Sequence, residues 1–84
     1  MALSPKEKEF VQEIGKTIVA IRHEKGLKQK QLADILEIED SSLRRIESGR
    51  TNPTAATLYR IAQALEVEVN ELVLEYGKAV NSEQ

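Results

Sequence analysis

With 84 residues, of which 40% are hydrophobic and 31% charged, the chain has the size and composition of one small water-soluble domain with a single core. It has no cysteine, which excludes disulfides and thiolate metal sites. Its longest apolar run, residues 18–21, is too short to cross a membrane, and the charged residues 6–9 argue against a signal peptide and favour the cytoplasm. The net charge of −2 is unevenly spread: residues 16–60 carry nine basic against six acidic residues, and residues 61–84 carry one against five, so only the middle of the chain suits a polyanionic partner.

The first predicted helix opens with a capping pattern. Ser4 suits the N-cap, Pro5 the first helical position, and Glu7 the position that completes a capping box. Apolar residues then recur at the three-and-four spacing of one helical face, namely Phe10, Val11, Ile14, Ile18 and Ile21. We expect this face to be buried and the helix to end near Lys25, with Gly26 left-handed just beyond it.

Four shorter helices are predicted after the first. They lie at residues 29–36, at residues 40–48, from the N-cap Thr54 onward, and at about residues 69–76. Gly49 closes the second of them. Their inward positions are Leu32, Ala33 and Leu36, then Leu43 and Ile46, then Ala55, Leu58, Ile61, Ala62 and Leu65. In the last helix, Leu72, Val73 and Tyr76 face either inward or toward a partner.

The lengths of these helices and of one turn predict the fold class. None of the four shorter helices is long enough to be stable alone, so all must share a core. The two helices at 29–36 and 40–48 are joined by about four residues, which forces the sharp angle of a helix-turn-helix unit. We therefore predict an all-α fold, a compact five-helix bundle with a helix-turn-helix, as a single domain over residues 1–80 with a frayed tail at 81–84.

A series of short motifs runs in a fixed order through residues 14–74. The motifs are Ile21-Arg22 with Gly26-Leu27, Gln29 with Leu32-Ala33, Leu43 with Ile46-Glu47 and Gly49, Asn52-Pro53, and Leu58 with Ile61-Ala62, Leu65 and Val67. Each motif is common by itself, whereas the ordered set resembles the lambda-repressor-like (Xre-type) family of helix-turn-helix transcription regulators. The resemblance implies a partner, double-stranded DNA.

The resemblance also implies a set of DNA-contacting residues. The family's third helix is its recognition helix, which enters the major groove, and it corresponds to residues 40–48 here. Helical spacing places the predicted base contacts on its exposed side: Asp40, Ser41, Arg44 and Arg45. The predicted phosphate contacts are Ser42 on this helix and, in the flanking segments, Lys28, Gln29, Lys30, Arg50, Asn52 and Thr54. In the family, the counterparts of Arg22 and Glu47 form a structural ion pair that joins the first helix to the third.

Three departures from the family pattern bear on these roles. Lys28 stands where relatives carry a Ser or Thr cap, which removes the cap and adds a cation. Glu37 and Glu66 stand where relatives often have glycine, so we expect these turns to differ or to be more helical. The recognition helix begins with Glu39-Asp40, which repels phosphate; Asp40 can accept a hydrogen bond from cytosine, and both carboxylates also suit the positive end of a helix dipole.

No pattern indicates catalysis, a cofactor or a metal. His23 is the only histidine and has no cysteine to share a metal with it. The acidic residues of the C-terminal third lack the loop spacing of a calcium site, and Ser41 and Ser42 have no base at a recognised spacing. We therefore expect a protein that is not an enzyme and that needs no cofactor.

Size and symmetry favour a homodimer on a near-palindromic site, because one short recognition helix specifies few base pairs. The predicted dimer interface is the last helix, with Val69, Leu72, Val73, Tyr76 and Val80, and the first helix is the other candidate. The acidic start of the recognition helix and the negative net charge keep a second hypothesis open. In that case the chain is an antitoxin or adaptor that binds a protein partner, a toxin or a regulator.

Overall fold

The computed structural model describes residues 2–73, which form four complete helices and the start of a fifth. Helix α1 spans Pro5–Glu24, α2 spans Gln29–Leu36, α3 spans Asp40–Glu47, α4 spans Ala55–Leu65, and α5 begins at 69–73. No strand occurs among residues 2–73, and the predicted all-α fold is confirmed. The predicted end of the last helix and the tail at 81–84 lie outside the described residues.

The first turn of α1 is held by the predicted capping box. The Ser4 hydroxyl accepts from the Glu7 N–H at 3.1 Å, and the Glu7 carboxylate accepts from the Ser4 N–H at 2.8 Å. Further along, Val11, Ile14 and Ile18 are buried as expected. The prediction that Phe10 is buried is wrong, because this residue is 42% exposed at the edge of the apolar face and lines a surface groove.

One apolar core joins all five helices. Helix α3 packs against α1 and α2, and α2 packs against α4. The buried cluster consists of Ile14, Ile18, Leu32, Ala33, Leu36, Leu43, Ile46, Ile61, Ala62, Leu65 and Leu72. Ala55 was predicted to face inward but is exposed in the first turn of α4. The guanidinium of Arg60 donates to the carbonyl oxygen of Leu36, one of the orphan carbonyls at the end of α2.

A mid-helix glycine lets α1 touch the end of α3. A Cβ atom built on Gly15 would lie 2.5 Å from the carbonyl oxygen of Glu47 and 2.7 Å from that of Ile46. Both neighbours are backbone atoms, so a side chain at residue 15 requires the two helices to separate. The sequence motifs did not single out this residue.

The turns after α2 and α4 differ from the expectation. Glu37 and Glu66 are not more helical; both are left-handed, with φ of 58° and 60°. The reason is the hydrogen bonding of the helix ends, because Ile38 N–H donates to Ala33 O at 3.0 Å and Val67 N–H donates to Ala62 O at 2.9 Å. These bonds close only when the intervening residue is left-handed, so the glutamates adopt a conformation that favours glycine.

Replacing Glu37 and Glu66 with glycine is expected to stabilise the protein. Each change removes the Cβ clash of a left-handed residue, and we expect a gain of about 0.5–1 kcal/mol per site in the free energy of unfolding. Urea titration followed by far-ultraviolet circular dichroism measures it. Glu24→Gly is the matched control, because Glu24 is the last residue of α1 and does not have positive φ, so glycine relieves no strain there and should lower the stability of the protein. A loss at both turn positions would contradict the cost assigned to the left-handed turns.

Candidate nucleic-acid interface

Helix α3 has one buried and one exposed side. Its buried residues are Leu43, Ile46 and Glu47. The exposed side carries Ser41, Ser42, Arg44 and Arg45, with Asp40 partly exposed. The predicted base-contacting residues therefore share the outward face of one helix.

The buried side of α3 is fixed to α1 by the ion pair that the family resemblance implied. Arg22 Nε lies 2.8 Å from Glu47 Oε2, and Arg22 Nη2 donates to Glu47 Oε1 at 3.2 Å. A third guanidinium nitrogen, Nη1, donates to the carbonyl oxygen of Leu27 at 2.9 Å. The side chains of the pair are only 9% and 5% exposed. A forked pair of this kind holds two helices in a defined orientation.

Helix α2 joins the same network through Gln29. The Gln29 side-chain amide donates to Glu47 Oε1 at 2.8 Å. One amide hydrogen is thus committed, while the second and the backbone N–H at the start of α2 remain available as donors. Sequence reasoning gave Gln29 only a role with phosphate. The structure adds that Gln29 helps to orient α3.

The cations around α3 are exposed and have no carboxylate partner among residues 2–73. These residues are Lys28 and Lys30 at the start of α2, Arg44 and Arg45 on α3, and Arg50 just after it. Within residues 2–73, none of the five forms an ion pair; the pairs found there are Arg22–Glu47 and the exposed Lys16–Glu13. Their positive charge is therefore free to interact with an external anion.

The loop after α3 folds back on the end of that helix. The backbone N–H groups of Arg50 and Thr51 donate to the carbonyl oxygen of Arg45, at 2.9 and 3.3 Å. The Ser48 hydroxyl donates to the same oxygen at 3.2 Å. These bonds bring the backbone of Arg50 to that of Arg45 and join two predicted DNA-contacting positions.

At the start of α4, Asn52 and Thr54 are both exposed. The Thr54 hydroxyl is already in use as the N-cap, because it accepts from the Thr57 N–H at 3.1 Å. It also shares a hydrogen bond with the Thr57 hydroxyl at 2.9 Å. Asn52 faces the groove beside the first turns of α1.

The acidic start of α3 lacks a side-chain cap. Glu39 is the N-cap residue, but its side chain makes no capping hydrogen bond. Neither Glu39 nor Asp40 forms an ion pair with another of residues 2–73. Lys28 likewise provides no side-chain cap for α2; instead its N–H donates to Gln31 Oε1 at 2.7 Å.

The predicted dimer interface needs a correction. Leu72 is fully buried in the chain's own core, so its side chain is not available to a partner. Val69 and Val73 are partly buried and pack against that core. Tyr76 and Val80 lie outside the described residues.

Two other findings concern residues 2–73 as a group. They contain no cluster of three or more His, Cys, Asp or Glu side chains that could hold a metal ion. None of the helices in this part of the chain is both long enough and apolar enough to cross a membrane.

Comparison with known proteins relates this geometry to a family. A helix-turn-helix family model matches residues 18–72. An uncharacterized HTH-type transcriptional regulator, y4dJ, of Sinorhizobium fredii is 42% identical over 60 residues, which cover 71% of this chain and 78% of the relative. The immunity repressor protein of Bacillus phage phi105 is also 42% identical over 60 residues, and the match covers 71% of this chain and 42% of the repressor's length.

The fold has a counterpart among solved structures. The restriction-modification controller protein C.AhdI from Aeromonas hydrophila superimposes with a TM-score of 0.71 at 29% identity, over 74% of this chain and 94% of that one. The family-matched region contains the Arg22–Glu47 pair and all of α2, α3 and α4. The chain belongs to the lambda-repressor-like (Xre-type) helix-turn-helix family of DNA-binding transcriptional regulators, whose members are not enzymes.

Proposed function

We propose that the chain regulates transcription in the cytoplasm by binding a specific DNA sequence with α3 in the major groove. The observation that carries this proposal is that the two sides of α3 differ. One side exposes Arg44 and Arg45, and the other is buried and fixed to α1 and α2. Arg44 and Arg45 each have the geometry to donate two hydrogen bonds to guanine. Asp40 and Ser41 face the same way, and Asp40 is suited to accept from a cytosine amino group.

The flanking segments supply the proposed phosphate contacts. Lys28, Lys30 and the free donors of Gln29 lie at the start of α2. On the other side of α3, Arg50 and Asn52 lie in the loop and Thr54 begins α4. On α3 itself, the exposed Ser42 has a short side chain whose hydroxyl can donate to a nearby phosphate. Contacts of this kind position a protein on the duplex and carry no sequence preference of their own.

We also propose that the protein binds as a homodimer. Two α3 helices about 34 Å apart would read two half-sites one turn of DNA apart. Val69 and Val73 remain candidates for the interface, and α1 is the alternative surface. Sedimentation at several protein concentrations tests the oligomeric state directly.

Selection of bound sequences from a random duplex pool tests the function as a whole. We expect enrichment of a near-palindrome with half-site centres about 10 base pairs apart. Guanine should be enriched at the positions that face Arg44 and Arg45. Recovery of no sequence preference would contradict sequence-specific binding, and a single asymmetric site would contradict the dimer.

Two single substitutions separate the proposed base contacts from the phosphate contacts. Arg45→Ala should cost about 1–3 kcal/mol on the preferred sequence and relax the preference at one position. Lys28→Ala should weaken preferred and random sequences alike, because a phosphate contact is present on both. Binding isotherms with both duplexes measure these effects. If sequence preference stays unchanged after both Arg44 and Arg45 are replaced, another face reads the DNA.

Protein binding, as in an antitoxin or adaptor, is the second candidate function. It is favoured by the carboxylates of Glu39 and Asp40 at the start of α3, which form no ion pair within residues 2–73 and oppose close approach to phosphate. A salt titration with duplex DNA discriminates the two functions. A DNA-binding regulator loses affinity steeply as salt rises, whereas no binding even at about 50 mM salt would favour a protein partner, a toxin or a regulator.

A further inference from the structure

The N-terminal part of α1 lies outside the region that matches the family. The matched region begins at residue 18, whereas α1 begins at Pro5. Residues 5–17, the α1 extension, therefore form more than three helical turns before the matched region, at about 3.6 residues per turn. The capping box of Ser4 and Glu7 holds the start of this extension in helical form.

The extension packs against the loop that follows α3. A Cβ atom built on Gly49 would lie 2.6 Å from Gln12 Cγ and 2.8 Å from Gln12 Cα, so the two backbones are in close contact. One helical turn before Gln12, the extension and the loop border a common groove of about 340 Å³. The groove is lined by Leu3, Lys6, Glu7, Phe10, Val11 and Asn52.

The two charged side chains that line this groove, Lys6 and Glu7, differ in whether they have a partner within residues 2–73. The Glu7 carboxylate is engaged, because it accepts from the Ser4 N–H at 2.8 Å. Lys6 is exposed and forms no ion pair with another of residues 2–73. Across the groove lies Asn52, whose proposed partner is a DNA phosphate.

We propose that Lys6 binds the DNA backbone at a phosphate next to the one bound by Asn52, so that the α1 extension enlarges the contact made by α3 and its loop. This inference rests on the proposed function, because it assumes that the loop of Asn52 lies on the duplex. It assigns a binding residue to a segment that the family pattern does not include.

The dependence of affinity on salt tests the proposal with random-sequence duplex DNA as the probe. A plot of log K against log salt loses about 0.9 of slope for every phosphate contact removed. We expect Lys6→Gln to reduce the slope by about this amount. Lys8→Gln is the matched control, because Lys8 is an exposed lysine on the same helix about 200° away from Lys6 and does not line the groove. Its slope should stay at the unsubstituted value.

Each remaining outcome has a definite meaning. Equal losses of slope for Lys6→Gln and Lys8→Gln would show a general effect of net charge and overturn the proposal. An unchanged slope for Lys6→Gln, with normal binding by the unsubstituted protein, would overturn the Lys6 contact alone. No salt-dependent binding by the unsubstituted protein would overturn the proposed function together with this inference.

Discussion

Replacing Arg22 with alanine is expected to lower the free energy of unfolding by about 3–5 kcal/mol, because it leaves the carboxylate of Glu47 buried with no cationic partner. Glu47 is only 7% exposed, and the one side-chain hydrogen bond left to it would come from Gln29. Glu47→Ala should cost a similar amount, since the guanidinium would keep only the Leu27 carbonyl. Thermal and urea unfolding followed by circular dichroism measure both variants.

Two further variants show whether the loss comes from the unpaired charge. The double substitution Arg22→Met with Glu47→Leu should recover part of the stability, because no buried charge is left without a partner. Lys16→Ala breaks the exposed pair with Glu13, whose atoms lie 3.5 Å apart, and should change the free energy of unfolding by less than about 1 kcal/mol. An unaltered melting temperature for Arg22→Ala would argue against a structural role for the buried pair.

Gly15→Ala is expected to have the second-largest effect on stability. The added Cβ would meet two backbone carbonyl oxygens of α3 at 2.5 and 2.7 Å, and backbone cannot rotate away as a side chain can. Overpacking of this kind costs about 1–3 kcal/mol or more, and the better helix propensity of alanine returns about 1 kcal/mol. We expect a net loss of about 2 kcal/mol, or about 8–16 °C in melting temperature for a domain of this size.

Gly26→Ala is the control for this collision. Gly26 is left-handed, with φ of 73°, but a Cβ built on it has no atom within 4 Å. Its replacement therefore tests backbone strain without steric contact, and we expect a loss of about 1 kcal/mol. A smaller loss for Gly15→Ala than for Gly26→Ala would mean that α3 can shift at little cost.

Local patterns predicted most of the helical structure. The capping box at Ser4, the cap at Thr54 and the glycines at 26 and 49 mark helix ends through interactions within a few residues. The turns at Glu37 and Glu66 were misjudged because glutamate rarely adopts positive φ. There, the hydrogen bonds of the helix end and the packing of the next apolar residue outweigh the residue's own preference.

Contacts between distant segments were less accessible from the sequence. The ion pair of Arg22 with Glu47 was available only through the family resemblance. The hydrogen bond from Gln29 to Glu47 and the one from Arg60 to Leu36 join residues 18 and 24 positions apart, and no local spacing marks them. Leu72 was assigned to a partner because an apolar stripe on a terminal helix looks the same whether its own core or another molecule covers it.

The two sides of α3 also have a consequence for how this regulator can change over time. Its buried residues keep the helix in place, whereas its outward residues contact nothing that the fold requires. If this face reads DNA as proposed, exchange of Ser41, Arg44 and Arg45 would create a new DNA preference in a few steps without first passing through an unstable protein. The same independence would allow related copies in one genome to acquire separate target sites while they retain a common scaffold.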